Sequence, residues 1–269
     1  MTDRRLTPAT PRIAHTSLRG VIDAPAWTEG EAAEVAVPLA DLLASPGGAL
    51  DRQLVLGDAV TVIDRQDGQA FARSHKDGYC GWLAEGALAP PTGPGHWVAV
   101  LGSHLYPEPR VQARAAASLT LGTRLRVTGH TGAFAETPHG HVPVAHLRPL
   151  GTWHDDPAQV AGLFLGVPYL WGGNSRDGLD CSGLVQAAML ACGRPCPADS
   201  DLQRAAFAPA AGAMRRGDLL FWPGHVAMAL DAATIIHANG HHMAVVAEPL
   251  AEAQARIGPP TDHRRPPET

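Results

Sequence analysis

The sequence predicts an α+β protein in which two small all-β barrels precede a domain that mixes helices and strands. Glycine and proline account for 29 and 24 of the 269 residues, which favours short strands joined by tight turns over long helices. A repeat links two stretches of the N-terminal half, whereas helical spacing of apolar residues begins only after residue 154. At about 150 residues per domain the length alone would predict two domains, and the repeat raises that number to three.

The composition excludes several classes of function. The net charge is −5 and Lys76 is the only lysine, so no basic stripe is present to neutralise phosphates, and we expect no nucleic-acid partner. The N-terminal residues lack the apolar core of about 7 to 15 residues that a signal peptide needs, and no apolar run approaches the roughly 18 residues of a membrane span. These patterns predict a soluble, cytoplasmic protein without a membrane partner.

The repeat in the N-terminal half consists of three matched segments. They are LGDAVTV at 56–62 with LGTRLRV at 121–127, QAFARS at 69–74 with GAFAET at 132–137, and DGYCGW at 77–82 with HGHVPV at 139–144. In each copy apolar and polar residues alternate between glycine and aspartate turns, which predicts a barrel of five or six strands. We place the first barrel at residues 35–92 and the second at 96–150, after an N-terminal extension at 1–34.

The first copy resembles bacterial SH3-like domains over residues 53–88. The resemblance depends on Leu-Gly-Asp, followed some twenty residues later by Asp-Gly-Tyr-Cys-Gly-Trp, and it is weaker over residues 97–150. For Trp82 we favour a position in the barrel core. For Tyr79 core packing and contact with a ligand both stay open.

The predicted third domain, residues 154–269, begins with two helices. Asp156 and the proline after it supply an N-cap and a first-turn proline for a helix that ends by Gly166. In the second helix, apolar or sulfur side chains recur at 181, 184, 185, 188, 189 and 192, until Gly193 ends it. This spacing places Cys181 in the first turn of the helix, on its buried side.

Strands are predicted downstream of these helices, at 218–222, 225–230 and 234–237. If Leu230 pairs with Thr234 across a tight turn, the register brings His225 and His237 onto one face of the hairpin. Side chains so placed lie within diagonal reach of each other. The sequence therefore predicts a pair of neighbouring imidazoles.

Cys181 is placed where its thiol could act as a nucleophile. The unpaired N–H groups of a helix N-terminus stabilise a thiolate, which predicts a pKa below the free value of about 8.5. Taken alone, Cys181 is better explained as the start of a buried stripe, because free cysteines are commonly buried. The two histidines change the balance, since a thiol nucleophile needs one group to take its proton and another to orient that group.

Several motifs in this region carry a family resemblance. They are PYLWGGNSRDGLDCSGLVQ at 168–186, DSDLQ at 199–203, GDLLF at 217–221, HV at 225–226 and IHA at 236–238. They resemble the NlpC-type papain-like cysteine peptidases over about residues 156–248. With two SH3-like domains in front, the arrangement resembles the γ-D-glutamyl-L-diamino acid endopeptidases of murein turnover. The resemblance implies an α+β fold with a papain-like, NlpC-type catalytic domain preceded by two SH3-like barrels.

The resemblance also implies catalytic roles for the matching residues. Cys181 would be the nucleophile, His225 the general base that later protonates the leaving amine, and His237 the polar residue that orients His225. Tyr169 and the backbone N–H of Cys181 would stabilise the oxyanion.

Three further positions would help to hold the L-Ala-γ-D-Glu part of the substrate: Asp180, Ser182 and Ser200. Each implied role has a structural alternative. Asp180 is a good N-cap, and Ser200 has capping-box spacing with Gln203. For Asp180 we expect both roles together.

The implied substrate is a murein peptide, L-Ala-γ-D-Glu-diamino acid, cut at the γ-D-Glu–diamino acid bond during murein peptide recycling. The first SH3-like domain would recognise the free amine of the N-terminal L-Ala, with Tyr79 as its candidate contact. A buried ammonium needs an acidic partner. Asp41, Asp51 and Asp58 all stay open for that role.

No cofactor and no metal is expected. The histidines of residues 237–242 lack carboxylate or thiolate companions at fixed spacing, and Cys192 and Cys196 lack a second pair at zinc-ligand spacing. Two other functions stay open. One is a cell-wall-binding module with an inert third domain, and the other is a secreted wall lysin or amidase of the same fold.

Overall fold

The structure, a computed structural model, describes residues 3–267. It divides into two compact units, which meet in the sequence between Leu150 and Gly151. The division separates the two predicted barrels from the predicted third domain. Within residues 3–267, no helix combines the length and the apolar character needed to cross a membrane.

The first unit consists of short strands and 3-10 turns. The strands are β1 (Ala14–His15), β2 (Trp27–Thr28), β3 (Glu31–Val35), β4 (Leu39–Leu43), β5 (Leu50–Val55), β6 (Ala59–Gln66), β7 (Gln69–Ser74), β8 (Cys80–Ala84), β9 (Leu88–Ala89), β10 (His96–Val98), β11 (Gly102–Leu105), β12 (Ala117–Thr120), β13 (Arg124–Leu125), β14 (Gly129–Thr131), β15 (Phe134–Thr137), β16 (Gly140–Pro143) and β17 (Leu147–Pro149). The 3-10 turns are Arg4–Leu6, Thr16–Leu18, Glu85–Ala87 and Val144–His146.

A seven-stranded antiparallel sheet forms the first part of this unit, with strand order β5-β4-β8-β7-β6-β3-β9. It has more strands than the five or six expected. One reason is β3, which lies mostly inside the segment predicted as an N-terminal extension. Its sequence, EAAEV, has low intrinsic strand propensity, so its pairing with β6 determines its conformation.

Trp82 of β8 is a core residue, as predicted. It is buried, and its ring centroid lies 5.4 Å from that of Phe71. Ile63 and Cys80 belong to the same cluster. These residues come together because β7 pairs with β6 on one side and with β8 on the other.

Residues 96–150 form three small sheets, with strand orders β13-β10-β17, β11-β12 and β14-β15-β16. A second SH3-like barrel therefore stays a prediction. One hairpin shows the repeat directly, because Phe71 pairs with Trp82 in the first copy and Phe134 pairs with Pro143 in the second. The register thus places Pro143, rather than Val144, opposite the shared phenylalanine.

The two copies of the repeat pack together at the turn of the first one. The N–H of Arg124 donates to the carbonyl of Leu56 at 2.9 Å. Gly57 has a φ of +82°, and a Cβ added there would lie 2.2 Å from the backbone oxygen of Arg124. Glycine is required at this turn both for its backbone conformation and for the close approach.

The second unit combines helices with one large sheet. Its helices are α1 (Pro157–Gly162), α2 (Cys181–Ala191), α3 (Ser200–Ala206) and α4 (Leu250–Ile257). Its strands are β18 (Asn174–Ser175), β19 (Gly178–Leu179), β20 (Ala208–Pro209), β21 (Leu219–Trp222), β22 (His225–Ala229), β23 (Thr234–Asn239), β24 (Ala244–Pro249) and β25 (Asp262–Arg265).

Six of these strands form an antiparallel sheet in the order β20-β25-β21-β22-β23-β24. Met228 pairs with Ile236, and the N–H of Leu230 donates to the carbonyl of Thr234 at 2.8 Å. The predicted hairpin register between β22 and β23 is therefore confirmed. It brings the two predicted histidines together.

Both predicted helices begin where their caps indicated. Asp156 accepts a hydrogen bond from the N–H of Ala158, and α1 starts at Pro157. It ends at Gly162, earlier than expected, and turns lead on to Gly166. Asp180 caps α2, whose residues are buried on almost every side, so this helix lies in the centre of the unit.

Candidate active site

The thiol of Cys181 lies at the start of α2, against the strand that carries His225. Cys181 is buried, with 6% of its surface exposed, and the backbone N–H of Val226 donates a hydrogen bond to its sulfur. Val226 directly follows His225 in β22. The fold thus joins the helix N-terminus and the hairpin, which lie about 45 residues apart in the sequence, at one point.

The pKa of the Cys181 thiol is raised to about 12, not lowered as the sequence predicted. Burial is the main cause and the negative charge of Asp180 adds to it, while backbone hydrogen bonds from Val226 and Ser182 act in the opposite direction. The helix N-terminus cannot offset the loss of hydration in so closed a position. In the free protein Cys181 is therefore a neutral thiol, and its role as a nucleophile, which stays a prediction, would require a base.

His225 is suited to be that base. The pKa of its imidazole is lowered to about 4, mainly by burial and also by repulsion from His237 in its protonated form and from Arg256, against the opposing effect of Glu248. The ring is therefore neutral near pH 7 and carries a lone pair that can accept a proton. Both side chains are thus neutral near pH 7, and a nucleophilic attack by Cys181 would require proton transfer in the same step.

A chain of hydrogen bonds leads from His225 into the protein. Its Nε2 lies 2.8 Å from Nδ1 of His237, and Nε2 of His237 lies 2.6 Å from Oε1 of Glu248. Arg256 donates to both carboxylate oxygens of Glu248, at 2.5 and 3.2 Å. Burial raises the pKa of Glu248, but hydrogen bonds from Arg256 and His237 outweigh it and keep the pKa below its ordinary value.

This chain determines which nitrogen of each ring carries the proton. An ionised carboxylate only accepts hydrogen bonds, so Nε2 of His237 must be the donor to Glu248 and its Nδ1 an acceptor. Nε2 of His225 then donates to that Nδ1. The remaining nitrogen of His225, Nδ1, is left with a lone pair that can accept a proton. Glu248 therefore acts as a positioning residue through His237.

Tyr169 lies close enough to Cys181 and Asp180 to interact with them electrostatically, and its role at an oxyanion stays a prediction. Burial raises the pKa of its phenol to about 12, and the negative charge of Asp180 and of Cys181 in its thiolate form would raise it too. The phenol thus stays protonated and can donate a hydrogen bond. Its backbone is held on one side by the carbonyl of Met243 at 2.9 Å and on the other by a bridge to Leu179.

Asp180 joins the nucleophile's helix to the turn that carries Tyr169. One carboxylate oxygen accepts from the N–H of Gly183 at 2.7 Å and from the hydroxyl of Ser182 at 2.9 Å. The other accepts from the N–H of Gly172 at 3.0 Å. The structure therefore assigns Asp180 and Ser182 a supporting role, while their contact with substrate stays a prediction.

Ser200 begins α3, but the capping box with Gln203 does not form. Gln203 is fully buried, and its amide nitrogen donates to the carbonyls of Ser182, Pro197 and Ala198. The side chain is drawn inward because three carbonyls of the neighbouring loop and helix need a donor there. Contact of Ser200 with substrate stays a prediction.

Tyr79 and the acidic candidates lie in the first unit. Tyr79 is 2% exposed, and the guanidinium of Arg52 lies 5.5 Å from its ring centroid. Asp58 accepts from Lys76 at 2.6 Å, and both oxygens of Asp51 accept from Arg4. Asp41 accepts from the side chain of Gln53 at 2.9 Å. Recognition of the substrate amine by any of them stays a prediction.

Sequence reasoning missed Glu248 and Arg256. Glu248 interrupts the apolar run of β24 and pairs with Ile235, so it lies diagonally across the ladder from His237 on the same face. An acid in a half-buried strand, followed eight residues later by Arg256 on a helix, was the available signal. It can be interpreted only once the pairing of β23 with β24 is known.

Comparison with known families defines the class of each half of the chain. Residues 166–255 match the NlpC/P60 family, and residues 42–88 match the bacterial dipeptidyl-peptidase SH3 domain. The chain therefore contains an NlpC/P60 domain preceded by a bacterial SH3 domain. Cys181, His225, His237 and Glu248 all lie within the residues matched to NlpC/P60.

Relatives with similar sequences are named as peptidases. A gamma-D-glutamyl-L-lysine dipeptidyl-peptidase of Bacillus cereus is 28% identical over 237 residues, which cover 75% of this chain and 71% of that protein. A protein of the same name from Bacillus subtilis is 42% identical over 82 residues, or 30% of this chain and 27% of that protein. Dipeptidyl-peptidase 6 of Lysinibacillus sphaericus is 36% identical over 89 residues, 32% of this chain and 33% of that protein.

A solved structure supports the fold over most of the chain. The NlpC/P60 family protein from Bacillus cereus superposes with a TM-score of 0.74 at 22% identity, covering 87% of this chain and 99% of that one. At this level of identity the likeness establishes the architecture, and the activity must be argued from the site.

Proposed function

We propose that this protein is a cysteine peptidase that hydrolyses the γ-D-Glu–diamino acid bond of murein peptides with a free N-terminal L-Ala. The observation that carries the proposal is the hydrogen-bond chain from His225 through His237 to Glu248, next to the strand residue Val226 that binds the Cys181 sulfur, inside an NlpC/P60 domain. The substrate class is suggested by the names of the relatives from Bacillus cereus and Bacillus subtilis.

In the proposed mechanism, Nδ1 of His225 takes the proton of Cys181 as the sulfur attacks the carbonyl carbon of the γ-D-Glu residue. The negative charge that develops on the carbonyl oxygen is stabilised by the Cys181 backbone N–H and the Tyr169 hydroxyl. When the C–N bond breaks, His225 returns the proton to the leaving amine, and a thioester remains on Cys181. Water, deprotonated by His225, then attacks the thioester carbon and restores the thiol.

The low dielectric constant of the site favours a neutral Cys181–His225 pair over a charged one before substrate binds. A permanent thiolate–imidazolium pair in this position would need hydration that the closed site does not provide. With both groups neutral, charge develops only when substrate is present and the oxyanion donors can compensate it.

A product analysis by mass spectrometry tests the proposal. The protein is incubated with L-Ala-γ-D-Glu-L-Lys and with the diaminopimelate peptide, each with a free and an acetylated N-terminus. We expect release of the free diamino acid from the peptides with a free amine. Cys181→Ala should abolish release, whereas Cys192→Ala, which removes another buried thiol, should retain it.

Three outcomes would contradict specific parts of this proposal. Cleavage by Cys181→Ala at the parental rate would eliminate Cys181 as nucleophile. Equal cleavage of acetylated peptides would eliminate amine recognition, in which we propose a role for Tyr79. Digestion of intact sacculi in preference to free peptides would favour a wall lysin over a recycling enzyme. It would also contradict the cytoplasmic location that we propose.

A further inference from the structure

A tight turn places an aromatic ring next to the proposed catalytic base. Trp222 and His225 are directly opposite each other in the pairing of β21 with β22, and Pro223 and Gly224 form the turn between them. Gly224 has a φ of +71°, the conformation that the third residue of a type II turn requires. Residues paired in this way direct their side chains to the same face of a sheet. The turn therefore brings the Trp222 side chain against His225.

The contact between the two rings is close. Their centroids lie 5.8 Å apart, and their planes are inclined by 43°. Trp222 is buried, with 6% of its surface exposed. The ring of His237 also lies near His225, at 5.0 Å between centroids, and is hydrogen-bonded to Nε2 of His225. His225 thus has one neighbour that binds an end of its ring and another, Trp222, whose aromatic ring packs against it.

A hydrogen bond at Nε2 does not by itself fix the imidazole of His225. Cβ and Nε2 lie at opposite ends of the side chain's ring, so fixing both still lets the ring turn about the line that joins them. Such a turn would move Nδ1, the nitrogen with the free lone pair, while the bond to His237 is kept. Packing against the ring is needed to prevent it, because a side chain at a functional site is locked by packing together with hydrogen bonds. Trp222 supplies that packing.

The indole of Trp222 is itself held in place. Its N–H donates to the carbonyl of Gly258 at 2.8 Å, and an indole has no other group that can donate. Gly258 directly follows α4 and has a φ of +80°, a conformation that favours glycine. The indole also belongs to a buried cluster with Leu220, Ala227, Ile235 and Ala253. Hydrogen bonding and packing therefore fix the indole, so that it can in turn fix the imidazole.

The end of α4 supports His225 by two separate routes. Arg256, in the last turn of the helix, begins the hydrogen-bond chain that reaches Nε2 of the base. Gly258, two residues later, acts through Trp222 on the ring. The first route determines which nitrogen carries the proton. The second acts on the orientation of the ring, which the first leaves open.

A cavity of about 290 Å³ beside the two rings makes this contact more important. Its walls include His225, His237 and Trp222. The volume equals that of roughly ten water molecules at about 30 Å³ each, so the imidazole is not enclosed on all sides by close-packed atoms. A ring that borders open space can turn unless a neighbour prevents it.

We propose that Trp222 is a positioning residue for His225. Its ring prevents the imidazole from turning about the line from Cβ to Nε2, and so keeps Nδ1 where it accepts the thiol proton in the proposed reaction. The carbonyl of Gly258 holds the indole in the orientation that this requires. The inference deepens the proposed function and rests on it for the role of His225 as base.

The kinetics of cleavage of L-Ala-γ-D-Glu-L-Lys test the inference. Trp222→Leu removes the ring, and we expect kcat to fall about 10- to 100-fold with KM changed less than about twofold, because a misplaced base impairs the chemical step and not binding. Trp222→Phe keeps an aromatic ring and should restore kcat to within about fivefold of the wild type. Phe207→Leu is the matched control, because it removes a similarly buried aromatic ring at the end of α3. It should leave kcat nearly unchanged.

Two measurements without substrate examine the ring directly. In a crystal structure of Trp222→Leu, the imidazole plane of His225 should be turned from its wild-type orientation or adopt two orientations. Nitrogen NMR should still show Nε2 of His225 as the protonated nitrogen, because the turn keeps the bond to His237. A change of tautomer instead would show that Trp222 acts through the hydrogen-bond chain, and would overturn the inference.

Gly258→Ala tests the same contact with the indole retained, and therefore decides the question if Trp222→Leu does not fold. A Cβ at Gly258 would meet no atom within 4 Å, so the alanine acts only through its preference for a negative φ. The carbonyl that accepts from the indole should shift, and kcat should fall about threefold to tenfold. An unchanged kcat would overturn the role of Gly258 in holding Trp222.

The outcomes separate this inference from the proposed function. A wild-type kcat in Trp222→Leu, or an equal loss in Phe207→Leu, overturns the inference while the peptidase activity stands. A Trp222→Phe variant as slow as Trp222→Leu overturns it too, since the aromatic ring would then not be what matters. Conversely, a turned imidazole in Trp222→Leu without any cleavage by the wild-type protein supports the contact and overturns the proposed peptidase activity.

Discussion

Two buried carboxylates of the second unit have nearly the same partners, and only one of them is connected to His225, the proposed catalytic base. Asp218 accepts from Arg265 at 2.6 and 2.7 Å, from His263 at 2.8 Å and from the N–H of Arg215 at 2.9 Å. Glu248 accepts from an arginine and a histidine in the same way. Both networks therefore consist of a carboxylate, an imidazole and a guanidinium.

The difference lies in the second nitrogen of the imidazole. His237 bonds Glu248 with Nε2 and His225 with Nδ1, so the orientation imposed by the carboxylate is passed on to the base beside Cys181. His263 uses Nε2 for Asp218 and lies on β25, away in the sheet order from β22 and β23. The same kind of acid–histidine–arginine cluster thus ends at its histidine around Asp218, whereas around Glu248 it extends to the proposed catalytic base.

Removal of the base should separate the two networks most strongly. We expect His225→Ala to lower kcat/KM for the murein tripeptide by about 10²- to 10⁴-fold, because general base and acid catalysis are lost together. His263→Ala, its counterpart in the Asp218 network, should change kcat/KM by less than about threefold for the folded protein. Steady-state kinetics on both variants measures the contrast. Comparable losses in the two variants would show that disrupting either histidine network lowers activity, and that a position next to Cys181 is not what makes His225 important.

Neutralising the carboxylates should give a smaller but more specific contrast. Glu248→Gln should lower kcat roughly 10- to 100-fold with KM nearly unchanged, since a hydrogen bond to a charged group contributes about 1.5 to 3 kcal/mol. Asp218→Asn should leave kcat unchanged and lower the free energy of unfolding by about 3 kcal/mol, because Arg265 loses its buried counter-charge. Urea unfolding and kinetics are measured on each variant.

A spectroscopic measurement then distinguishes orientation from simple damage in Glu248→Gln. Nitrogen NMR of the histidines should show Nε2 of His225 as the protonated nitrogen in the wild type and a mixture of tautomers in the variant. A variant that loses activity while its His225 tautomer is unchanged would contradict the positioning role of Glu248.

The pH dependence of stability should give the smallest contrast. The pKa of His225 is lowered from 6.5 to about 4, so between these values the unfolded chain binds a proton that the folded protein excludes. The free energy of unfolding should therefore fall as the pH drops from about 6.5 to 4, by at most about 3 kcal/mol from this residue, and change no further below that. In His225→Gln this fall should be smaller. An identical slope in both proteins would show that His225 is not buried as a neutral ring.

Local sequence patterns were sufficient to predict structure where neighbouring residues determine the conformation of a short segment. The caps at Asp156 and Asp180, the helix that begins at Cys181 and the register of the β22–β23 hairpin were all predictable. Each depends on residues a few positions apart, such as the side chain of Asp180 and the N–H of Gly183. The family motifs lie on these same segments, and the structure confirms that His225 and His237 lie together, while the nucleophile role of Cys181 stays a prediction.

Sequence patterns did not predict the structure correctly where it depends on contacts between distant segments. The strand β3 has a sequence that does not favour a strand, and only its pairing with β6 makes it one. Gln203 has capping-box spacing but turns inward to three carbonyls that the sequence does not show as neighbours. In both cases a tertiary contact of greater free energy overrides a weak local preference.

By itself the sequence determined the class of each half, the helix start at Cys181 and the pairing of His225 with His237. Only the tertiary structure determines the protonation states of Cys181 and His225. Burial makes the thiol and the imidazole neutral, because desolvation depends on everything packed around a group and not on its neighbours along the chain. The pairing of β24 with β23 adds Glu248, and α4 adds Arg256, since a hydrogen-bond chain needs atoms within about 3 Å that no sequence spacing brings together.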